Sequence, residues 1–307
     1  VDTVFSDEEF RKWWSSAKRV LKKDGHFNVP ARRSDPVSLR DEAVGRADEL
    51  VEQFNHANQL KTKIAVLNEI VKNLGEFASP QSQLQPLVDR IEADAAANQR
   101  LNPAQTVELI LARDAIVAEF SELEPGRGAL DIGGYLLQLG TQTQEVLEQL
   151  PAAKQRGLIQ GLEQAHGGDW VEMAERFMHE GSSRVVSESA KVLIEAGHKQ
   201  RVHDALERWI QDRSITSEAL LWLCKERRRN FENLVTPNLL NAIIAALERD
   251  QFNEKRTSRL QDLILEDKEL IGDILERADL ESAREAMRRL LLTPVFEELS
   301  KRSILAR

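Results

Sequence analysis

Apolar residues recur along most of this chain at spacings of three and four, the period of an amphipathic α-helix. In the first half, this pattern predicts helices over about 38–56 and 60–74, then one after Ser79-Pro80 and one after Asn102-Pro103. Ser79 and Asn102 each stand where a helix is capped, before a proline whose missing N–H costs nothing at the first helical position. We expect these four helices to form a bundle or a long hairpin.

Helices continue at short, regular intervals beyond residue 130. Their predicted starts lie near Pro151, Asp169, Ser182, Lys199, Thr216, Thr236, Thr257 and Asp279. Every second start is separated by 31 to 41 residues, close to the period of about 34 to 47 residues in TPR and HEAT repeats. No TPR consensus residues recur, which favours HEAT-like or irregular pairing. The sequence therefore predicts an all-α fold of stacked antiparallel helix pairs, an irregular HEAT/TPR-like α-solenoid.

A small Trp-containing module precedes these helices. Ser6 and Glu9 form a capping box, and the apolar face that follows consists of Phe10, Trp13, Trp14, Ala17, Val20 and Leu21. Asp24-Gly25 ends this helix, and residues 26–30 alternate as a short extended piece does. With a second break at 124–128, the chain divides into a basic module at 1–36, a helical bundle or hairpin region at 37–124 and a repeat region at 125–307.

Charge separates the first module from the rest. Residues 1–40 carry nine Lys/Arg and six acids, a net charge of +3, whereas the whole chain has a net charge of −9. A chain with this much negative charge is a poor general binder of nucleic acids, because phosphate binding needs clustered positive charge. Nucleic-acid contact is therefore expected only at the basic N-terminal module.

Several chemistries lack the residues that they need. The six histidines form no HExxH pair, Gly133-Gly134 and Gly167-Gly168 fit no phosphate-binding loop, and the adjacent acidic pairs are typical of solvated helix faces. The single cysteine, Cys224, lies among apolar residues, where a thiol is a core residue more often than a nucleophile. We expect no metal, no cofactor, no small-molecule substrate and no catalytic residue. One cysteine and no apolar run of membrane length fit a cytoplasmic protein.

Two clusters are candidates for partner binding. The first is Trp13 and Trp14 with Lys18 and Lys22; adjacent positions differ by about 100° around a helix, so one tryptophan is expected at a seam or exposed. An exposed Trp beside cations is typical of a partner anchor, although both rings covering a small core is an equal alternative. The second is Arg227-Arg228-Arg229, which suits an acidic or phosphate-bearing partner or the charged end of a helix.

The stretch from Phe5 to Phe27, with its Trp13-Trp14 pair and Leu21-Lys22-Lys23-Asp24 run, resembles the long N-terminal extensions of certain bacterial GreA/GreB-type transcript-cleavage factors. The segments Ala219–Trp222, Leu290–Leu292 and Lys301–Arg307 are similar to that region as well. Gre factors act through acidic residues at the tip of a coiled-coil hairpin and have an FKBP-like domain. Neither module is evident here, so the resemblance transfers no catalytic residue.

The resemblance implies a non-catalytic protein-interaction region of a transcription elongation factor, with RNA polymerase or an associated protein as the partner. The alternative is a helical-repeat scaffold that binds proteins in another pathway. The last helix meets no Gly or Pro, so we expect the natural chain to continue beyond Arg307.

Overall fold

The protein is all-α, as predicted. The computed structural model describes residues 7–23, 26–29, 36–39, 45–77, 79–251, 259–276 and 278–306. Within them, the strands are β1 (Phe27–Asn28) and β2 (Ser38–Leu39), which pair antiparallel with Phe27 opposite Leu39. The chain forms two compact units, residues 1–130 and 131–307. The division at 36/37 and 124/125 stays a prediction, as does the assignment to a repeat family.

The first unit contains five α-helices among its described residues. They are α1 (Asp7–Lys23), α2 (Arg46–His56), α3 (Leu60–Lys72), α4 (Pro80–Asn98) and α5 (Pro103–Glu119), with a 3-10 turn at Leu74–Glu76. Helices α2 to α5 form a bundle in which α4 packs along α5, α3 packs on α2 and α5, and α2 also contacts α4. The core is mainly aliphatic with the two aromatic rings of Phe54 and Phe77, and its fully buried members include Phe54, Ile70, Leu84, Ile91 and Val107.

Two details of this unit differ from the sequence-based expectation. The first helix of the bundle begins at Arg46 and not near Ser38, because Ser38 and Leu39 pair with β1. Pro80 and Pro103 occupy the first helical position as expected, but neither Ser79 nor Asn102 caps its helix through the side chain. At the start of α4 the Ser79 backbone N–H instead donates to Gln83 Oε1. The capping box at Ser6 lies outside the described residues.

The second unit is a succession of short helices. They are α6 (Ile132–Leu139), α7 (Thr143–Gln149), α8 (Ala152–His166), α9 (Trp170–Glu180), α10 (Ser183–Glu195), α11 (Lys199–Gln211), α12 (Ser217–Asn230), α13 (Pro237–Asp250), α14 (Arg259–Glu266), α15 (Leu270–Glu276), α16 (Leu280–Leu292) and α17 (Glu298–Leu305). Short 3-10 turns lie at Gly140–Gln142, Gly167–Asp169 and Glu232–Leu234. Seven of the eight predicted starts agree with these bounds to one residue, and Thr257 lies outside the described residues.

These helices pack in two rows. Helices α6, α8, α10, α12, α14 and α17 contact one another in succession, and α11, α13 and α16 do the same alongside them. Each row buries its apolar face against the other row, so a single helix pair has no complete core of its own. Fully buried residues from both rows, such as Val185, Leu206, Leu220 and Ile244, fill the space between them.

The turns between successive helix pairs are joined by polar contacts. Ser182 N–H donates to Glu148 Oε1 over 2.6 Å, His179 Nε2 donates to the Ser214 carbonyl oxygen over 3.1 Å, and Arg249 Nη1 donates to the Arg213 carbonyl oxygen over 2.5 Å. The partners lie 34, 35 and 36 residues apart in sequence. The turn at Ser182 is therefore held by one side chain from a neighbouring helix pair, and the turn at Arg213 and Ser214 by two, at an almost constant sequence interval.

Among the described helices, none combines the length and the apolar character that crossing a bilayer requires.

Candidate partner-binding surfaces

The aromatic side chains of α1 form one cluster on its surface. The Phe10 and Trp14 rings are parallel to within 1° with centroids 6.5 Å apart, and the Trp13 ring lies 5.8 Å from Phe10 and 6.1 Å from Trp14. Trp13 is 49% exposed and Trp14 is half-buried. The adjacent tryptophans thus divide as their 100° separation requires, with Trp13 on the outer side of the cluster.

Helix α1 also presents aliphatic and cationic groups to solvent. Val20 is 66% exposed, Arg11 is exposed and Lys18 is half-buried. The side chain of Lys22 lies outside the described part of the structure. No described side chain of α1 reaches the burial of the bundle core, although its sequence has a strong apolar stripe. An aromatic and cationic surface of this kind is suited to a partner that combines apolar and acidic groups.

The three arginines at the end of α12 have different environments. Arg227 is only 6% exposed; its Nε donates to Asp273 over 2.8 Å, and Nη1 donates to Asp267 over 2.8 Å and to the Cys224 carbonyl oxygen over 2.7 Å. Arg228 is exposed and contacts Asp273 at 2.9 Å and Glu269 at 2.6 Å. Arg229 is exposed. The guanidinium of Arg227 is thus engaged within the unit, whereas Arg228 and Arg229 are exposed.

The ion pairs of this cluster shift the ionisation of its members. Hydrogen bonds from Arg228, reinforced by those from Arg227, lower the pKa of the Asp273 carboxyl. Burial alone would lower the pKa of Arg227, but the hydrogen bonds to Asp273 and Asp267 outweigh it and raise the pKa. These shifts keep Arg227, Arg228 and Asp273 charged at neutral pH. The small adjoining cavity, about 210 Å³, is lined by residues of this network together with Glu232, Val235 and Glu276.

Cys224 is fully buried, and burial raises the pKa of its thiol to about 12. At neutral pH it is therefore protonated and shielded, which suits the core role that its apolar neighbours predict.

Two features of the second unit have no counterpart in the sequence analysis. His203, Asp204 and Glu207 place potential ligand atoms within 4.8 Å of one another on the surface of α11. The sequence signal for this cluster is the spacing of its residues, since Asp204 and Glu207 follow His203 by one and four positions along a helix. The other feature is a cleft of about 480 Å³ between α9 and α11, lined by Asp169, Glu172, Met173, Glu175, Arg176, His179 and Trp209. Within it, Glu175 is paired with Arg201 and Arg208.

Comparison with known proteins finds two partial matches. The family profile of the GRAD helix-turn-helix domain matches residues 1–44, which include α1, β1 and β2. The transcription elongation factor GreA of Chlamydia trachomatis serovar D is 25% identical over 120 residues, 39% of this chain. The match spans only 16% of the length of that relative. No solved structure matches the chain.

Proposed function

We propose that this chain is a non-catalytic protein-interaction region of a bacterial transcription elongation or transcript-cleavage factor, with RNA polymerase or an associated protein as its partner. The observation that carries the proposal is the aromatic cluster of α1, in which Trp13 is 49% exposed on a helix that also carries the exposed Arg11. Tryptophan and arginine are among the side chains that most often dominate the energy of protein interfaces. The partial similarity to GreA and the domain match at residues 1–44 support the link to transcription.

The second unit supports a scaffolding role. Its helices pack in two rows, and its one cysteine is buried as a protonated thiol. The guanidinium of Arg227, the buried arginine of α12, is already paired with Asp267 and Asp273. These features favour recognition by surface contacts over chemistry in a cleft.

Binding of the 307-residue chain to purified core RNA polymerase tests the proposal. Wild-type protein is expected to bind saturably. Trp13→Ala should raise the dissociation constant at least about tenfold, as truncation of a central anchor does. Leu101→Ala, which changes an 83% exposed leucine in the turn between α4 and α5, is the matched control and should bind like wild type. Absence of binding, or an equal loss in both variants, would contradict the proposal.

The non-catalytic part of the proposal has its own measurement. Stalled elongation complexes incubated with the chain should retain full-length RNA, whereas an intact Gre factor added to the same complexes shortens it. RNA shortening that depends on this chain would overturn the assignment.

Nucleic-acid contact by the first 44 residues is a second candidate function, favoured by the helix-turn-helix match and by the cations of α1. Fluorescence anisotropy with duplex DNA and with RNA at two salt concentrations separates it from protein binding. Binding through phosphate contacts loses affinity steeply as salt rises, and Arg11→Ala should reduce that salt dependence.

A further inference from the structure

Three potential metal ligands lie side by side on the surface of α11. His203, Asp204 and Glu207 each offer one ligand atom, and these atoms all lie within 4.8 Å of one another. His203 is half-buried, whereas Asp204 and Glu207 are exposed. Because Glu207 follows His203 by four positions, one helical turn brings the imidazole and the carboxylate to the same face, and Asp204 flanks them. The backbone of a single helix therefore brings all three groups together.

The distance between the first two groups matches that between two ligands of one ion. His203 Nδ1 lies 3.4 Å from Asp204 Oδ1. This separation is long for an N–H···O hydrogen bond, whose optimum is about 2.9 Å. With metal–ligand distances of about 2.0–2.2 Å, two ligands of a tetrahedral zinc ion lie about 3.3–3.6 Å apart. The imidazole and the carboxylate thus already have the separation that zinc coordination requires.

Gln200 orients the Asp204 carboxylate from the preceding turn of α11. Its side-chain Nε2 donates a hydrogen bond to Asp204 Oδ1 over 2.8 Å. Hydrogen bonds of this kind to metal ligands fix their orientation and are a common part of metal sites in proteins. A carboxylate oxygen has two lone pairs, so Asp204 can accept from Gln200 and still coordinate an ion.

The two arginines of α11 lie on another side of the helix. Arg201 and Arg208 both pair with Glu175 of α9, at 2.9 Å and 2.7 Å. At about 100° per residue, His203 and Glu207 lie about 200° and 240° around the helix from Arg201. With a neutral imidazole, the cluster carries two negative charges that these arginines do not pair with. A divalent cation can therefore balance its charge.

We propose that His203, Asp204 and Glu207 bind a divalent transition-metal ion, with Zn²⁺ as the representative of the class. One imidazole and two carboxylates form a ligand set that Zn²⁺ accepts, whereas Mg²⁺ and Ca²⁺ prefer six or more oxygen ligands. Three protein ligands leave the fourth tetrahedral position to water. The site uses a glutamate four positions after the histidine, a pattern that differs from the HExxH pair that the sequence lacks.

Calorimetric titration of the full 307-residue chain with Zn²⁺ tests the proposal. Wild-type protein is expected to bind one equivalent saturably in the micromolar range. His203→Asn should raise the dissociation constant at least about tenfold, because the nitrogen ligand is lost, and Glu207→Gln should weaken binding through the loss of a charged ligand. His56→Asn is the matched control, since His56 is an exposed histidine of α2 whose ring contacts only the Glu52 carbonyl oxygen among the described polar groups, and it should bind like wild type.

A second measurement locates the ion. On addition of Zn²⁺, the imidazole NMR resonances of His203 should shift while those of His56 stay in place, and circular dichroism confirms that each variant is folded. The absence of a saturable site, or unchanged affinity in His203→Asn, would overturn the proposal. Equal affinity for Mg²⁺ would do so as well, because it would indicate attraction to exposed carboxylates only. Trp13→Ala should not change Zn²⁺ binding, so this result is separate from the test of polymerase binding.

Discussion

The guanidinium of Arg249 donates a hydrogen bond to the backbone carbonyl oxygen of Arg213 over 2.5 Å, joining the end of α13 to the turn before α12. Its other terminal nitrogen donates to the carbonyl oxygen of Ile215, also over 2.5 Å. One side chain thus binds both ends of the turn. The carbonyl oxygens of Arg213 and Ile215 lie outside the helices and accept these hydrogen bonds in place of helical ones.

Replacing Arg249 with Ala should lower the free energy of unfolding by about 2 kcal/mol, because two charge-assisted hydrogen bonds to backbone carbonyls are lost. Urea denaturation of the whole chain measures the change. Arg229→Ala, at an exposed position at the end of α12, is the control and should change stability by less than about 0.5 kcal/mol. Equal effects of the two substitutions would show that the turn does not depend on Arg249.

Arg213 has a backbone φ of 54°, a left-handed conformation that non-glycine residues adopt at a cost. Arg213→Gly should therefore raise the free energy of unfolding by about 0.5–1 kcal/mol, while the carbonyl that Arg249 binds is retained. The converse change, Gly197→Ala, forces alanine to a φ of 89° and should destabilise by a similar amount. Thermal denaturation should therefore show a higher melting temperature for Arg213→Gly and a lower one for Gly197→Ala.

Removal of the Arg227 guanidinium should have a pH-dependent effect. Arg227→Met leaves Asp267 and Asp273 without their main buried cation, and the expected loss at neutral pH is about 3 kcal/mol. The pKa of Asp273 is lowered in the folded protein, so its stabilising contribution is present above the unfolded pKa and disappears as pH falls through the folded pKa. The difference between wild type and Arg227→Met should therefore shrink below about pH 4. A difference that is constant from pH 7 to pH 3 would contradict this.

Two helical glycines should respond oppositely to the same substitution. A Cβ at Gly161 would lie 2.7 Å from Ile132 Cγ1, where α8 and α6 pack closely, so Gly161→Ala should destabilise by about 1–3 kcal/mol. A Cβ at Gly272, on α15, meets no atom within 4 Å, and Gly272→Ala should stabilise by about 0.5–1 kcal/mol through helix propensity alone. Comparison of the unfolding midpoints of the two variants tests whether close packing at Gly161 determines the sign of the stability change.

The helix starts of the second unit were predictable because the signals that set them are local. Thr216 accepts a hydrogen bond from the N–H of Ala219, and Asp279 accepts from Glu281 and Ser282, as capping residues do. Pro237 stands at the first position of α13 for a reason that is equally local. Helix α15 was missed because its seven residues are too few to show a period.

The environment of Arg227 could not be read from its own segment. In the sequence it stands within a run of three arginines at the end of a helix, and its partners, Asp267 and Asp273, follow 40 and 46 residues later. Only the packing of α14 on α12, which places the end of α14 and the start of α15 near Arg227, brings these charges together. The cleft beside Trp209 depends in the same way on the approach of α9 and α11. By contrast, the division of exposure between Trp13 and Trp14 follows from the angle between adjacent helical positions.

The contacts between successive turns have a mechanical consequence. Glu148 holds the turn at Ser182, His179 and Arg249 hold the turn at Arg213 and Ser214 from its two sides, and each of these contacts links only neighbouring helix pairs. When the chain is pulled along the row, these hydrogen bonds should therefore break one after another, and each break should release about one helix pair. Under tension the second unit should lengthen in small steps while the pairs that have not yet opened keep their shape.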